Sequence, residues 1–238
     1  LLIRSYKSAF ILLFVVLLVT TVSGVAYNAY RRASTVSLDL SANTIAEISD
    51  KVVRSTVEIF TTARSYLEVN ALIVGDGDIV ERQDYLLNIF WTQIHLNPQL
   101  LSLYAADARG SFVQARELPQ LVTRVIDRRG EKPSEQLIYR DRNYRPIAHI
   151  NGGALYDPRE RPWYGSAGTD GETRLSPVYR FTSTEKLGIT ATRAITRGDG
   201  EVIGVLGADI ALEGLSEFLA EQRIAAGGVA MIVDPGDR

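Results

Sequence analysis

"LLSLYAADARGSFVQAR", residues 100–116, is where the chain changes its period. Apolar residues alternate on either side of "DARG", the pattern of two strands around a turn. Upstream the spacing is helical. Tyr85, Leu86, Ile89, Phe90 and Ile94 share one face of a helix at about 81–96, and "NP" at 97–98 stops it. Residues 33–74 contain neither Gly nor Pro. They predict a long helix over 33–75, on the order of 60 Å at 1.5 Å per residue. Gly75, opening "GDGD", suits its left-handed stop. Downstream, "QLIYRDRNYRPIAHI" (136–150) predicts another hairpin. "LSPVYRFTSTEKLGITATRAI" (175–195) and "EVIGVLGADIAL" (201–212), joined by "TRGDG", predict two further strand regions. A short helix in "LEGLSEFLAEQRI" follows, and "GVAMIVDPGDR" reads as the beginning of a further module. Helices first and antiparallel strands afterwards make an α+β fold with one sheet, not a βαβ alternation.

Composition excludes several chemistries. The 238 residues have no cysteine, which removes disulfide scaffolds, thiolate zinc sites and Cys nucleophiles. The two histidines, His95 and His149, lie far apart and read as structural rather than as a metal pair. The formal net charge is −2, with no basic run and no basic–aromatic ladder, which argues against nucleic-acid binding. An apolar content of 46% with 23% charged residues fits a folded chain that begins, at Leu1, as part of something longer.

Residues 8–30, "SAFILLFVVLLVTTVSGVAYNAY", carry no charged side chain, and about 20 apolar residues span a bilayer as a helix. Arg4 and Lys7 flank the run on one side, Arg31 and Arg32 on the other, with Tyr6, Tyr27 and Tyr30 at belt positions. A cleaved signal peptide fits less well. The run is longer than a signal core, and no small-x-small cleavage site follows it. The expectation is a transmembrane anchor. Its basic flanks are too balanced to set its direction.

On the long helix, Ile45, Val52, Ile59, Tyr66 and Ile73 recur every seventh position, with Ile48 and Val69 on the alternate seam and Ser55 and Thr62 interrupting it. Val53, Val57, Phe60 and Leu67 widen the apolar arc beyond a two-stranded seam. Two uses remain open: packing on the chain's own domain, or offering a strip to a second copy.

"YDPRERPWY", residues 156–164, sets two tyrosines and a tryptophan among two arginines. Arg161 presents a planar fork that matches a carboxylate. Trp163 has one indole donor, Tyr164 a hydroxyl, and Pro162 stiffens the backbone between them. These are donors without a base, suited to holding an anion rather than transforming it. Asp209 ends the apolar strand "VIGVLGADIAL" and needs a partner, for which an ammonium serves. Tyr156 and Tyr179 offer hydroxyls or ring faces to the same cation. A structural alternative has the stretch as a packed helix–loop and Asp209 as a helix cap.

"YDPRERPWY", "SPVY" and "GVLGADI" together resemble the membrane-distal module of double Cache sensor domains of bacterial transmembrane receptors, over roughly residues 33–226. The resemblance implies a long helix packed on a PAS-like antiparallel sheet. It also implies a division into a cytoplasmic terminus (1–7), an anchor (8–30), a signalling helix (33–75), the sensor module (80–226) and the start of a membrane-proximal module (227–238). Residues 33–238 would then lie outside the cytoplasm of a bacterium, anchored in its inner membrane. The amino-acid-binding subgroup marks its pocket by residues that fall here on Tyr156, Arg161, Trp163, Tyr164, Tyr179 and Asp209. The implied roles give the α-carboxylate to Arg161 and Trp163, helped by Tyr164, and the α-amino group to Asp209, Tyr156 and Tyr179. No cofactor or metal is implied, and the partners are an L-amino acid, the membrane and a second copy through the long helix. The pocket floor, which sets side-chain preference, is expected from loops such as 165–174.

Two other classes compete with a sensor. No nucleophile–base–orienter set, phosphate loop or metal motif is present to support an enzyme in this stretch. A ligand-free dimerisation scaffold, and a sensor of amines lacking a carboxylate, both remain.

Overall fold

The computed structural model describes residues 2–213, without the side chains of 2–9 and 36–42. The short helix expected after residue 212 is described only to residue 213, and the module start at 227–238 lies outside the described residues. Helix α1 runs over Leu2–Val74 and α2 over Gln83–Leu96. The chain divides within α1, with Val53 the first residue of the sheet-bearing unit. In the first unit, Phe10–Thr35 has a mean hydropathy of 2.5 and its side chains are exposed, a span long and apolar enough to cross a membrane.

In the second unit α1 ends as the sequence predicts. Gly75 takes φ +49° and its N–H reaches the Ala71 carbonyl at 3.0 Å. Asp78 then caps the following turn, accepting from the N–H groups of Val80 (2.8 Å) and Glu81 (3.1 Å). Asn70 and Gln93 exchange side-chain hydrogen bonds of 2.8 and 3.1 Å and fix α1 against α2.

Nine strands follow: β1 Leu100–Asp107, β2 Phe112–Arg116, β3 Val122–Asp127, β4 Ser134–Arg140, β5 Pro146–Gly153, β6 Arg174–Leu175, β7 Tyr179–Arg180, β8 Leu187–Thr196 and β9 Val202–Ala211. They form one antiparallel sheet in the order β5-β4-β3-β2-β1-β9-β8-β6, with β7 also on β8. The fold is α+β, as the period change indicates. β3, "VTRVID", has no counterpart in the sequence reading. It is a single strand without a Gly-marked hairpin of its own, and it joins a pair that already looked complete.

The sheet has two unlike faces. Ile59, Ala63, Leu67 and Val74 of α1, with Leu86, Phe90 and Ile94 of α2, close over Leu103, Ala105, Val113, Ala115, Leu206, Ala208 and Ile210. Each of the large side chains there contributes about 1.5–3 kcal/mol by leaving water. Of the heptad residues, Val52 and Ile59 are buried, Tyr66 and Ile73 half-buried and Ile45 exposed; Val53, Val57 and Val69 from the adjoining positions, and Leu72, are exposed as well. The opposite face carries Tyr104, Ala106, Phe112, Ile126 and Val205, covered by Trp163 and Ala167.

Candidate functional site

That second face is polar at its centre, and strand register puts it so. Asp209 stands opposite Ser102 on one side and Thr190 on the other. One step along, Tyr104 is opposite Gln114, which is opposite Arg124. Alternation then points all of these away from the helices. Gly207 is required here. A Cβ at that position would sit 2.2 Å from the Tyr104 ring, which lies across β9 to reach Asp209.

The segment covering this floor is built by local rules. Asp157 caps the 3₁₀ turn Pro158–Glu160, accepting from the Arg159 N–H at 3.0 Å. Its second oxygen takes the Arg159 guanidinium at 2.6 Å. These bonds hold the Asp157 carboxyl at about 2, below the usual carboxylate range. Pro162 opens the short helix α3, Pro162–Ser166, and Arg161 precedes it in extended conformation. Trp163, 2% exposed, drops onto the sheet with its ring centroid 4.7 Å from Tyr104. Two of the charges in "YDPRERPWY" thus serve the loop itself, which leaves Arg161 for another task.

A cleft opens between this segment and the sheet, with about 340 Å³ of free space including its mouth. Tyr156, Arg161, Trp163, Tyr179 and Asp209, five of the six residues singled out by sequence, line it together. Tyr164 is elsewhere: half-buried, edge-on to Trp163, its hydroxyl donates to the carbonyl of Asp107, the last residue of β1, at 3.3 Å. The floor comes from Tyr104, Gln114, Arg124 and Asp209, and no residue of 165–174 contributes. The expectation of a floor built by loops such as 165–174 is thereby corrected, because the strands' alternate residues line the cleft directly. Phe181, Thr182 and Ser183 line it as well.

Asp209 is 7% exposed and accepts three hydroxyl hydrogen bonds, from Ser102, Tyr104 and Thr190, each 2.7 Å. Burial nevertheless pushes its carboxyl up, since the three hydroxyls and the more distant Arg116 do not replace lost water. Tyr179 shares Thr190 at 2.7 Å. Burial pushes the Tyr156 hydroxyl up to about 12, against a hydrogen bond from Trp163. Among the described residues Arg161 has no carboxylate within 4.0 Å and no hydrogen bond from its guanidinium, which lies 5.9 Å over the Tyr179 ring. Arg124 sits 4.5 Å over the Tyr156 ring and binds Glu135 at 2.5 Å.

Sequence reasoning missed Ser102, Tyr104, Thr190, Gln114 and Arg124. Their alternation within each strand was visible. That β1 would pair with β9, across about a hundred residues, was not. No group of three or more His, Cys, Asp or Glu among the described residues offers a metal site. The arrangement can bind opposite charges at two ends of a small molecule. It has no base placed to activate a nucleophile.

Residues 119–217 match the family model "Methyl-accepting chemotaxis protein-like, first PDC sensor domain". The curated relatives include the methyl-accepting chemotaxis protein McpA of Pseudomonas putida, 37% identical over 38% of this chain and 14% of that protein. Another is adenylate cyclase 1 of Rhizobium meliloti, 24% identical over 65% of this chain and 25% of that protein. The chain therefore spans a quarter or less of the length of these relatives. Among solved structures, the ligand-binding domain of the Campylobacter jejuni chemoreceptor Tlp3, in complex with 4-methylisoleucine, shares the fold. Its TM-score is 0.50, at 22% identity over 76% of this chain and 64% of that one. Residues 119–217 thus resemble a chemoreceptor-type sensor domain.

Proposed function

We propose that this sensor domain binds a free L-amino acid in the cleft, at both of its backbone charges. Arg161 and Trp163 take the α-carboxylate. Asp209 takes the α-ammonium, with Tyr156 and Tyr179 beside it. Tyr164 acts from behind, holding Trp163 rather than touching the ligand. The observation that carries this reading is one cleft containing both an unpaired guanidinium and a buried carboxylate that lacks a cation. The amino acid in the Tlp3 complex supports the class of ligand.

In this reading Phe10–Thr35 anchors the chain in the bacterial inner membrane, and the sensor module, about 80–226, lies outside the cytoplasm. The long helix carries the binding event inward. The exposed Val53, Val57 and Leu72 supply the strip against a second copy. The relatives are named a methyl-accepting chemotaxis protein and an adenylate cyclase, and the response that binding drives here is not assigned by the cleft.

The test is a thermal-shift panel on the 238-residue chain held in lipid nanodiscs. A ligand at 100 times its Kd adds about 2.7 kcal/mol, a rise of roughly 5–10 °C for a domain near this size. L-Amino acids should give it, and their amides and decarboxylated amines should not. Arg161→Ala should remove it, weakening binding on the order of a hundredfold. Equal shifts from amines, with Arg161→Ala silent, would replace the amino acid by an amine. No shift from either group would leave the scaffold reading.

A further inference from the structure

We propose that Gln114 and Arg124 form the subsite for the ligand's side chain, selecting amino acids whose side chain ends in a hydrogen-bond acceptor, an amide or a carboxylate. The inference rests on the amino-acid reading above and concerns the part of the cleft that reading leaves unused. With the two backbone charges at Arg161 and Asp209, the remaining floor is the row where Tyr104, Gln114 and Arg124 face each other across β1, β2 and β3.

Gln114 is 6% exposed and faces the cleft. Its Nε2 reaches only the Ser102 hydroxyl, at 3.4 Å, and its Oε1 meets no donor among the described residues. An amide so deeply buried is normally bonded at both ends. Arg124 gives its Nε to Glu135, and its two terminal nitrogens make no hydrogen bond among the described residues. On β2, opposite Ser102, the buried Arg116 Nε also lacks an acceptor among the described residues, although Arg116 does not line the cleft. This end of the cleft therefore offers the two unused terminal nitrogens of Arg124 as donors and the Gln114 Oε1 as an acceptor.

The charges point the same way. Of the residues lining the cleft, Asp209 is the only acid, while Arg124 and Arg161 are both basic. A lysine or arginine side chain would meet the Arg124 guanidinium, whose neighbouring carboxylate, Glu135, is already engaged by it and does not line the cleft. An aliphatic side chain would dehydrate Gln114 and Arg124 without bonding them, which is the costly case for buried polar groups. An amide satisfies both, its carbonyl on Arg124 and its N–H on the Gln114 Oε1, and a carboxylate satisfies Arg124; these two residues lie two and three strands from Asp209 across the sheet.

Calorimetric titration of the nanodisc-held chain decides it with near-isosteric pairs. Asn should bind more tightly than Leu, and Gln more tightly than Met, each by about tenfold or more, the worth of one hydrogen bond to a charged group. Lys should be weakest, and Glu against Gln separates carboxylate from amide. Gln114→Met should bring the Asn-to-Leu ratio toward one. Arg124→Lys, which keeps a cation for Glu135, should lower the ratio without unfolding the site. Leu binding as tightly as Asn, with Arg161→Ala abolishing both, overturns the subsite while the amino-acid reading stands. Loss of every ligand in Arg124→Lys, with Arg161→Ala removing only the Asn preference, reverses the two arginines and also overturns it. Binding of no amino acid at all overturns both readings.

Discussion

Along β9, Leu206, Ala208 and Ile210 meet the helices, while Val205, Gly207 and Asp209 lie on the opposite face, where Asp209 lines the cleft, so adjacent residues of one strand enter opposite environments. The helix face is dry and filled with apolar side chains. The cleft face buries Asp209, Ser102, Gln114 and Thr190. A carboxylate and an amide without full partners are costly to bury. The helix face offsets that cost, and the two tasks are separated by nothing more than the period of a strand. Stability and recognition should therefore respond to different substitutions, although the residues involved are a few ångströms apart.

The largest effect belongs to the helix face. Phe90 is 0% exposed, and Phe90→Ala should cost about 3–5 kcal/mol, read as a lower Tm by near-UV circular dichroism, with ligand preference unchanged. Asp209→Asn should do the reverse. Burial raises the Asp209 carboxyl, so this group stabilises the fold most below the ordinary carboxylate range and loses that contribution as pH rises through its raised value. The ligand-free Asn variant should then match the parent near pH 4 and be at least as stable near pH 8, while losing amino-acid binding. In the parent, affinity should fall as acid protonates Asp209, since an ammonium needs the ionised form. A destabilised Asn variant at both pH values would mean that Asp209 belongs to the core rather than to a ligand.

The smallest effect separates Tyr164 from its five companions. Its hydroxyl bonds the Asp107 carbonyl and not the cleft. Tyr164→Phe should cost about 1 kcal/mol of stability and leave affinity within about twofold. A large affinity loss would bring Tyr164 back into the ligand's reach.

The sequence was legible wherever the information is local. The end of α1 at Gly75, the turn after Asp107, and the hairpin of β4 and β5 follow from short patterns. Phe10–Thr35 follows from composition. The cleft was legible through "YDPRERPWY", because capping by Asp157 and the proline before Trp163 fix that segment by itself. What stayed hidden depends on strand order. Tyr104 reaches Asp209 only because β1 lies beside β9 and Gly207 leaves room for its ring. Gln114 and Arg124 become neighbours only once β3 takes its place in the sheet. Alternation tells which residues of a strand share a face, but not which strands share an edge.

A structure of this chain with the tightest amino acid of the panel tests the central claim most directly. The account predicts the α-carboxylate within hydrogen-bond distance of the Arg161 guanidinium and the Trp163 indole, and the ammonium on Asp209. The side-chain acceptor should face Gln114 and Arg124. A ligand whose carboxylate sits on Arg124 with Arg161 turned away, or one bound outside this cleft, would contradict it.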